Sequence, residues 1–160
     1  MSLKQEFELL RQVPMFAEIE PAKLKLLAFM SERVAFDPGK QLMRQGDPAD
    51  AAYLIIDGHA DVIVETPAGP VIVATLGANE TVGEMAILGD VPRNATVCAK
   101  NRLVALRISK DLFMRMVREF PTMAVSIMQE LAQRLDRTNN QLTGALNEVK
   151  RLREDAGIAA

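Results

Sequence analysis

Between residues 82 and 97 the chain reads Val-Gly-Glu-Met-Ala-Ile-Leu-Gly-Asp-Val-Pro-Arg-Asn-Ala-Thr-Val, and these residues are the ones best suited to hold a small charged ligand. The pattern predicts a strand that ends at Gly83, a helical turn over residues 84–88 and a new strand beginning at Arg93. Free backbone N–H groups at the start of that turn can meet an anion, helped by the local dipole. Gly83 carries no Cβ, so the backbone can approach a ligand closely there. Arg93 offers a planar, permanently charged fork that suits a phosphate. Glu84 only accepts hydrogen bonds when ionised, so it suits a sugar hydroxyl rather than the phosphate. The set describes a site for a ligand with an anion at one end and a hydroxyl close by. Its plain alternative is a surface ion pair between Glu84 and Arg93, worth ~0–1 kcal/mol.

Other chemistry has little to work with. His59 is the single histidine and Cys98 the single cysteine, so no intrachain disulfide can form and a reducing compartment fits. A barrel metalloenzyme needs several histidine or carboxylate ligands at one end, and His59 reads as an exposed turn residue after Gly58. Cys98 lacks a partnered base that could activate it, and reads as a small hydrophobe pointing into the barrel. An iron–sulfur sensor needs several cysteines. No catalytic residue, no metal site and no cofactor are expected, so the chain reads as a binding protein rather than an enzyme.

The elements that position the motif follow from periodicity. At 160 residues the chain is sized for one domain. Residues 1–31 read as helical, with Pro21 where a first helical turn tolerates proline. From about 33 to 108 the apolar period drops to two. Turn signals such as Asp37-Pro38-Gly39, Gly46-Asp47-Pro48, Asp57-Gly58 and Gly77-Ala78-Asn79 punctuate it. The β-rich runs between them, at 53–56, 62–64, 71–76, 96–99 and 103–108, argue for a sandwich or barrel. No helix-length segment separates them, which argues against parallel βαβ units. Ser109 is placed to cap a helix over 110–120, and Pro121 to start a second that runs to about 154.

In that last helix Met128, Leu135, Leu142 and Val149 recur at sevens, and Leu131, Thr138, Ala145 and Leu152 recur at sevens three residues later. The 3–4 alternation predicts a coiled-coil seam and a parallel homodimer through residues 123–152, with Leu131, Leu135 and Leu142 at the contact. The other reading is a long helix packed on its own domain. Gly144 weakens the helix by ~1 kcal/mol relative to alanine, which favours fraying beyond it.

The 82–97 stretch resembles the phosphate-binding cassette of cyclic-nucleotide-binding domains. This family includes the catabolite activator protein, kinase A regulatory subunits and cyclic-nucleotide-gated channels. Gly83, Glu84, Met85, Ala86, Pro92, Arg93, Ala95 and Thr96 match its pattern, and the Val13-Pro14-Met15-Phe16 entry and the Asp57-Gly58 hairpin extend the likeness over residues 9–140. The resemblance implies an α+β fold, a double-stranded β-helix or jelly-roll-like β-roll of eight strands, with N-terminal helices and a long C-terminal helix lying apart. It implies that Glu84 binds the ribose 2′-hydroxyl, Arg93 the cyclic phosphate, and the Met85 and Ala86 amides the phosphate oxygens, with Gly83 and Ala95 framing them.

Asn94 departs from the family, whose members carry Ala, Ser or Thr there. Its amide can still reach the phosphate, while its side chain could favour syn guanine. Ile108-Ser109, Phe113, Pro121 and Arg134-Leu135 fall at the spacing of the catabolite activator protein. That alignment sets Thr138 against the adenine of its own subunit and Asn139 towards the partner's. The implied function is a sensor that binds cyclic AMP, less readily cyclic GMP, and signals through its C-terminal helix. The alternative is a dimerising interaction protein that has lost its ligand.

Residues 1–100 carry 9 Lys and Arg against 14 Asp and Glu, and residues 101–160 carry 10 against 7. Neither half is a basic footprint for nucleic acid. The expected organisation is a β-roll with flanking helices over 1–120, a dimerisation helix over 121–155 and a tail over 156–160. The few residues after Asp155 are too short for a helix-turn-helix domain, so no direct DNA binding is expected. The chain reads as a stand-alone sensor or as a piece of a larger protein. No apolar run reaches the ~18–20 residues of a membrane span and no secretory signal opens the chain, so the cytoplasm is expected.

Overall fold

The computed structural model describes residues 2–158, so Ala159 and Ala160 of the expected tail lie outside the described residues. Two helices come first, α1 (Leu3–Gln12) and α2 (Pro21–Met30). Ser2 caps α1 through a reciprocal box. Its Oγ accepts from the Gln5 backbone N–H, and its own N–H donates to Gln5 Oε1. Pro21 occupies the first turn of α2, where its missing N–H costs nothing.

Eight strands follow: β1 (Glu32–Phe36), β2 (Gln41–Met43), β3 (Ala51–Asp57), β4 (Ala60–Thr66), β5 (Gly69–Leu76), β6 (Thr81–Val82), β7 (Thr96–Ala99) and β8 (Leu103–Ser109). A short helix α3 (Glu84–Gly89) interrupts them between β6 and β7. The strands form two antiparallel four-stranded sheets, ordered β1-β8-β3-β6 and β2-β7-β4-β5. This is the β-roll, an α+β fold once the helices are added. The chain closes with α4 (Lys110–Glu119) and the 35-residue α5 (Pro121–Asp155). Ser109 caps α4 by accepting from the Leu112 N–H, and Pro121 opens α5.

The period of two explains why β3 and β8 sit at the centre. Ala51, Tyr53 and Ile55 of β3, with Leu103 and Ala105 of β8, face the second sheet and pack on Leu42, Ala60, Val97 and Ala99. Their alternate residues Ala52, Leu54, Leu106 and Ile108 face the helices and pack on Leu10, Phe16, Leu24, Leu27 and Phe113. The central strands β3 and β8 are therefore buried on both faces, and β3 reads as a continuous apolar run for that reason. By contrast β5 is an edge strand that pairs only with β4, and Val71, Ile72 and Val73 stay exposed on it.

Three sequence expectations change. The strand expected to begin at Arg93 begins at Thr96. Arg93 instead exchanges backbone hydrogen bonds with the Gly46–Asp47 turn, its N–H donating to Asp47 O and its carbonyl accepting from Gly46 N–H. Cys98 does not point into the roll. Its neighbours Val97 and Ala99 are the buried residues of β7, so alternation turns Cys98 to the half-buried outer face opposite Asp61. Finally, α5 does not lie wholly apart, because Met123 and Ile127 are buried in the helical core and Leu131 packs partly against it. Gly144 lies inside an unbroken helix.

Leu106 is fully buried between β-roll and helices. Leu106→Ala should destabilise the domain by ~2–5 kcal/mol, through lost apolar burial and a residual cavity. Urea unfolding followed by circular dichroism measures this directly.

Candidate functional site

β4, β5, the β6–α3 corner and the middle of α5 enclose a cavity of about 510 Å³, within the usual range for small-ligand sites. Met43, Val62, Ala74, Leu76 and Val97 give it an apolar wall, and the opposite side is polar. Two charged side chains on that side are almost wholly removed from water, Glu84 and Arg93, each 3% exposed.

Gly83 makes this arrangement possible. It adopts φ +91°, in the left-handed region, and a Cβ there would lie 2.6 Å from Arg93 Nη1 and 2.8 Å from Met43 Cε. The glycine thus serves both the turn and the room that the guanidinium occupies. Arg93 Nη1 donates to the Gly83 carbonyl at 2.6 Å, and Nη2 donates to the Ala51 carbonyl and to Asp50 Oδ1, the latter at 3.4 Å. Asp50 is shared. Its Oδ2 accepts from Arg107 at 3.3 Å, and its side chain is mostly exposed. Among the described residues Arg93 Nε is buried without a hydrogen-bond partner. A buried cation whose one carboxylate is exposed to solvent and shared with a second arginine is under-compensated. A buried donor left unmade costs ~1–3 kcal/mol. Both facts suit an anion in the cavity.

Glu84 lies beside it with the opposite problem. Burial pushes its carboxyl above the ordinary value, and the backbone N–H and the Arg134 guanidinium pull it down without cancelling that effect. Arg134 Nη2 sits 3.2 Å from Glu84 Oε1, and Nη1 donates to the Met85 sulfur. Arg134 belongs to α5, so the long helix is tied to α3 through the polar side of the cavity.

Of the residues expected from sequence, Gly83, Glu84, Met85, Ala86, Arg93, Asn94 and Ala95 all line this one cavity. Thr138 and Asn139 do not. They are exposed on α5, about one turn beyond Arg134. The helix residues that do line the cavity are Glu130, Arg134 and Arg137. Sequence reasoning used Arg134 only as an alignment mark and passed over Glu130 and Arg137. Their i, i+4 and i+7 spacing, which puts three charges on one helical face, was the available signal. His59 is exposed, and its backbone N–H donates to Asn101 Oδ1 at 2.7 Å. Among the described residues no cluster of three or more His, Cys, Asp or Glu could hold a metal ion, and no helix is long and apolar enough to cross a membrane.

Residues 33–120 match the cyclic nucleotide-binding domain family, and the chain belongs to it. The cAMP-dependent protein kinase regulatory subunit of Yarrowia lipolytica is 34% identical over 108 residues, 68% of this chain and 28% of that protein. The CRP-like cAMP-activated global transcriptional regulator of Mycobacterium tuberculosis is 27% identical over 136 residues, 84% of this chain and 61% of that protein. Among solved structures, the catabolite activator protein of Thermus thermophilus superposes with a TM-score of 0.73 at 27% identity, covering 81% of this chain and 62% of its own. The domain is thus of the catabolite activator type, and the chain spans less than two thirds of the length of these curated relatives.

The raised carboxyl of Glu84 gives stability a definite pH dependence. The folded protein keeps a proton that the unfolded chain releases near 4.5, so this group favours folding most below that pH and loses the benefit as pH rises through its folded value. The stability of wild type relative to Glu84→Gln, which has no carboxyl to titrate, should therefore fall as pH rises above 4.5. Urea unfolding of both proteins from pH 4.5 upward would show it, and a wild type that gains stability relative to the variant as pH rises would contradict it. Gly83→Ala should lower both stability and ligand affinity, since the new methyl meets Arg93 and the backbone is strained. Thermal unfolding with and without nucleotide separates the two effects.

Proposed function

We propose that this chain is a receptor for a cyclic nucleotide, cyclic AMP before cyclic GMP, which it holds in the 510 Å³ cavity and reports through α5. The observation that carries the reading is the buried, under-compensated Arg93 with its unpartnered Nε. The cyclic phosphate supplies the missing anion, with the Met85 and Ala86 amides beside it. Glu84 accepts from the ribose 2′-hydroxyl. The base lies along Val62, Ala74 and Leu76, where the lining is apolar.

The cavity has no aromatic side chain among its lining residues, so the planar group available to stack on a purine is an arginine guanidinium. Arg137, which lines the cavity from α5, fills this role. Asn94 contributes its backbone amide to the phosphate side. The name of the Yarrowia relative, a cAMP-dependent regulator, supports adenine over guanine.

Signalling follows from the Glu84–Arg134 pair. A ligand hydroxyl that takes up Glu84 changes what Arg134 has to bind, and with it the free energy of docking α5 on the roll. Ligand then shifts the population of docked and released helix by its differential affinity for the two. Values of ~1–3 kcal/mol are enough for a useful switch. The receptor acts as a homodimer through residues 123–152 and binds no DNA through the described residues. A ligand-free interaction protein would have no use for a buried arginine with an unmade bond.

Arg93→Ala should weaken cyclic AMP binding by ~2–5 kcal/mol, roughly 30-fold to several thousandfold, measured by isothermal titration calorimetry. Equal affinity in variant and wild type would rule out the assigned phosphate site.

A further inference from the structure

Of the described methionines, Met30, Met85 and Met128 are exposed, and of these Met85 alone lines the ligand cavity. Met85 is 44% exposed in the first turn of α3, and its sulfur accepts from Arg134 Nη1 at 2.7 Å. Met43, the other methionine of the cavity wall, is half-buried. Met15, Met116 and Met123 are buried in the core.

The sulfur contact matters because Arg134 has a second engagement. Its Nη2 lies 3.2 Å from Glu84 Oε1, and that pair ties α5 to α3. A guanidinium is a rigid planar fork, so a shift of one amino group carries the other with it. Whatever drives Nη1 from the sulfur therefore pulls Nη2 from the carboxylate.

A thioether sulfur is a weak acceptor and the most readily oxidised atom of this site. Hydrogen peroxide, or an organic hydroperoxide, transfers one oxygen to it. A sulfur lone pair forms the S–O bond while the O–O bond breaks. The departing hydroxide or alkoxide takes a proton and leaves as water or an alcohol. The sulfur is oxidised and the peroxide reduced by the same electron pair.

Oxidation through either lone pair ends the contact. An oxygen pointing at Arg134 has no room, because a hydrogen bond to oxygen needs about 2.7–3.2 Å between heavy atoms and the sulfur itself is 2.7 Å from Nη1. With the oxygen pointing away, the sulfur carries partial positive charge and repels the guanidinium. Both products drive Arg134 off Met85, and Glu84 loses its one ion pair among the described residues. Burial already holds the Glu84 carboxyl above its ordinary value against the pull of Arg134. Without that pull it protonates more readily, and a protonated carboxyl is a poorer acceptor for a ligand hydroxyl. Since Met85 is exposed, its sulfoxide stays in water and the core is left intact.

We propose that Met85 is a peroxide-oxidation site on the cavity, whose sulfoxide expels Arg134 from Glu84, unties α5 from α3 and lowers ligand affinity. The loss of affinity rests on the cyclic-nucleotide reading, whereas the untying of α5 does not. Methionine sulfoxide reductase, which restores the thioether, reverses the change.

The test uses the full chain with Met30→Leu, Met128→Leu and Cys98→Ser, alongside the same protein with Met85→Leu added. Both are treated with hydrogen peroxide, and peptide mass spectrometry locates the added oxygen. Hydrogen exchange over residues 123–137 and calorimetric titration with cyclic AMP are run before and after. Met85 should be oxidised well before Met43. The oxidised protein should then exchange faster over 123–137 and bind cyclic AMP about tenfold more weakly. Reductase should restore both properties, and the Met85→Leu protein should change in neither. A Met85 that is oxidised no faster than Met43, or whose oxidation leaves exchange in α5 unchanged, overturns the proposal. Faster exchange with undiminished affinity overturns the link from Arg134 to the ligand. Untreated protein that fails to bind cyclic AMP overturns the ligand reading instead, and the exchange response of α5 alone then decides the role of Met85.

Discussion

A guanidinium withdrawn from water is tolerated only where enough acceptors and negative charge replace its hydration. Arg93 receives the carbonyls of Gly83 and Ala51 and a share of Asp50, and nothing for Nε among the described residues. Much of the surrounding architecture serves to keep that side chain where it is. Gly83 leaves the space for it, the Gly46–Asp47 turn holds its backbone, and β3 brings Ala51 beneath it. The result is a domain that stores an incomplete electrostatic contact at the base of a cavity. An anion entering it gains a charge-assisted hydrogen bond that the protein has already positioned.

The same cavity couples to α5 because its second buried charge is satisfied from there. Glu84 pairs with Arg134, and Arg134 also touches Met85 at the start of α3. A ligand that competes for Glu84 therefore acts on a contact between the roll and the helix, rather than on either alone. The outward face of the same helix carries exposed apolar residues, among them Met128, Leu135 and Leu142. The two faces lie on one rigid element.

How much of this was legible in the sequence depended on whether a local pattern or a tertiary contact set it. The period of two, the Ser109 cap and the proline at 121 were readable because each is fixed by neighbouring residues. So were the cavity-lining residues 83–86 and 93–95, which lie within a dozen positions of one another. Strands β2 and β6, of three and two residues, were not readable, since they exist only through pairing with β7 and β3. Cys98 was assigned to the wrong face because a one-residue uncertainty in register inverts a strand. Arg134 and Arg137 were missed because their spacing with Glu130 shows only a shared helical face, and which face meets the cavity is set by tertiary packing. The apolar pattern of α5 is a similar case. Its spacing is a property of the sequence, but which of two adjacent strings faces outward is decided by how Leu131 packs.

The proposed function requires the cavity to recognise a cyclic phosphate and a ribose hydroxyl together. Calorimetric titration of the wild-type chain with cyclic AMP, 2′-deoxy cyclic AMP and linear 5′-AMP tests this most directly. One site per chain is predicted for cyclic AMP. Loss of the 2′-hydroxyl, which removes the ligand's donor to buried Glu84, should weaken binding about tenfold to a hundredfold, and the doubly charged open phosphate of 5′-AMP should bind more weakly than the cyclic ligand. Absence of binding by cyclic AMP, or equal affinity for all three nucleotides, would contradict the account.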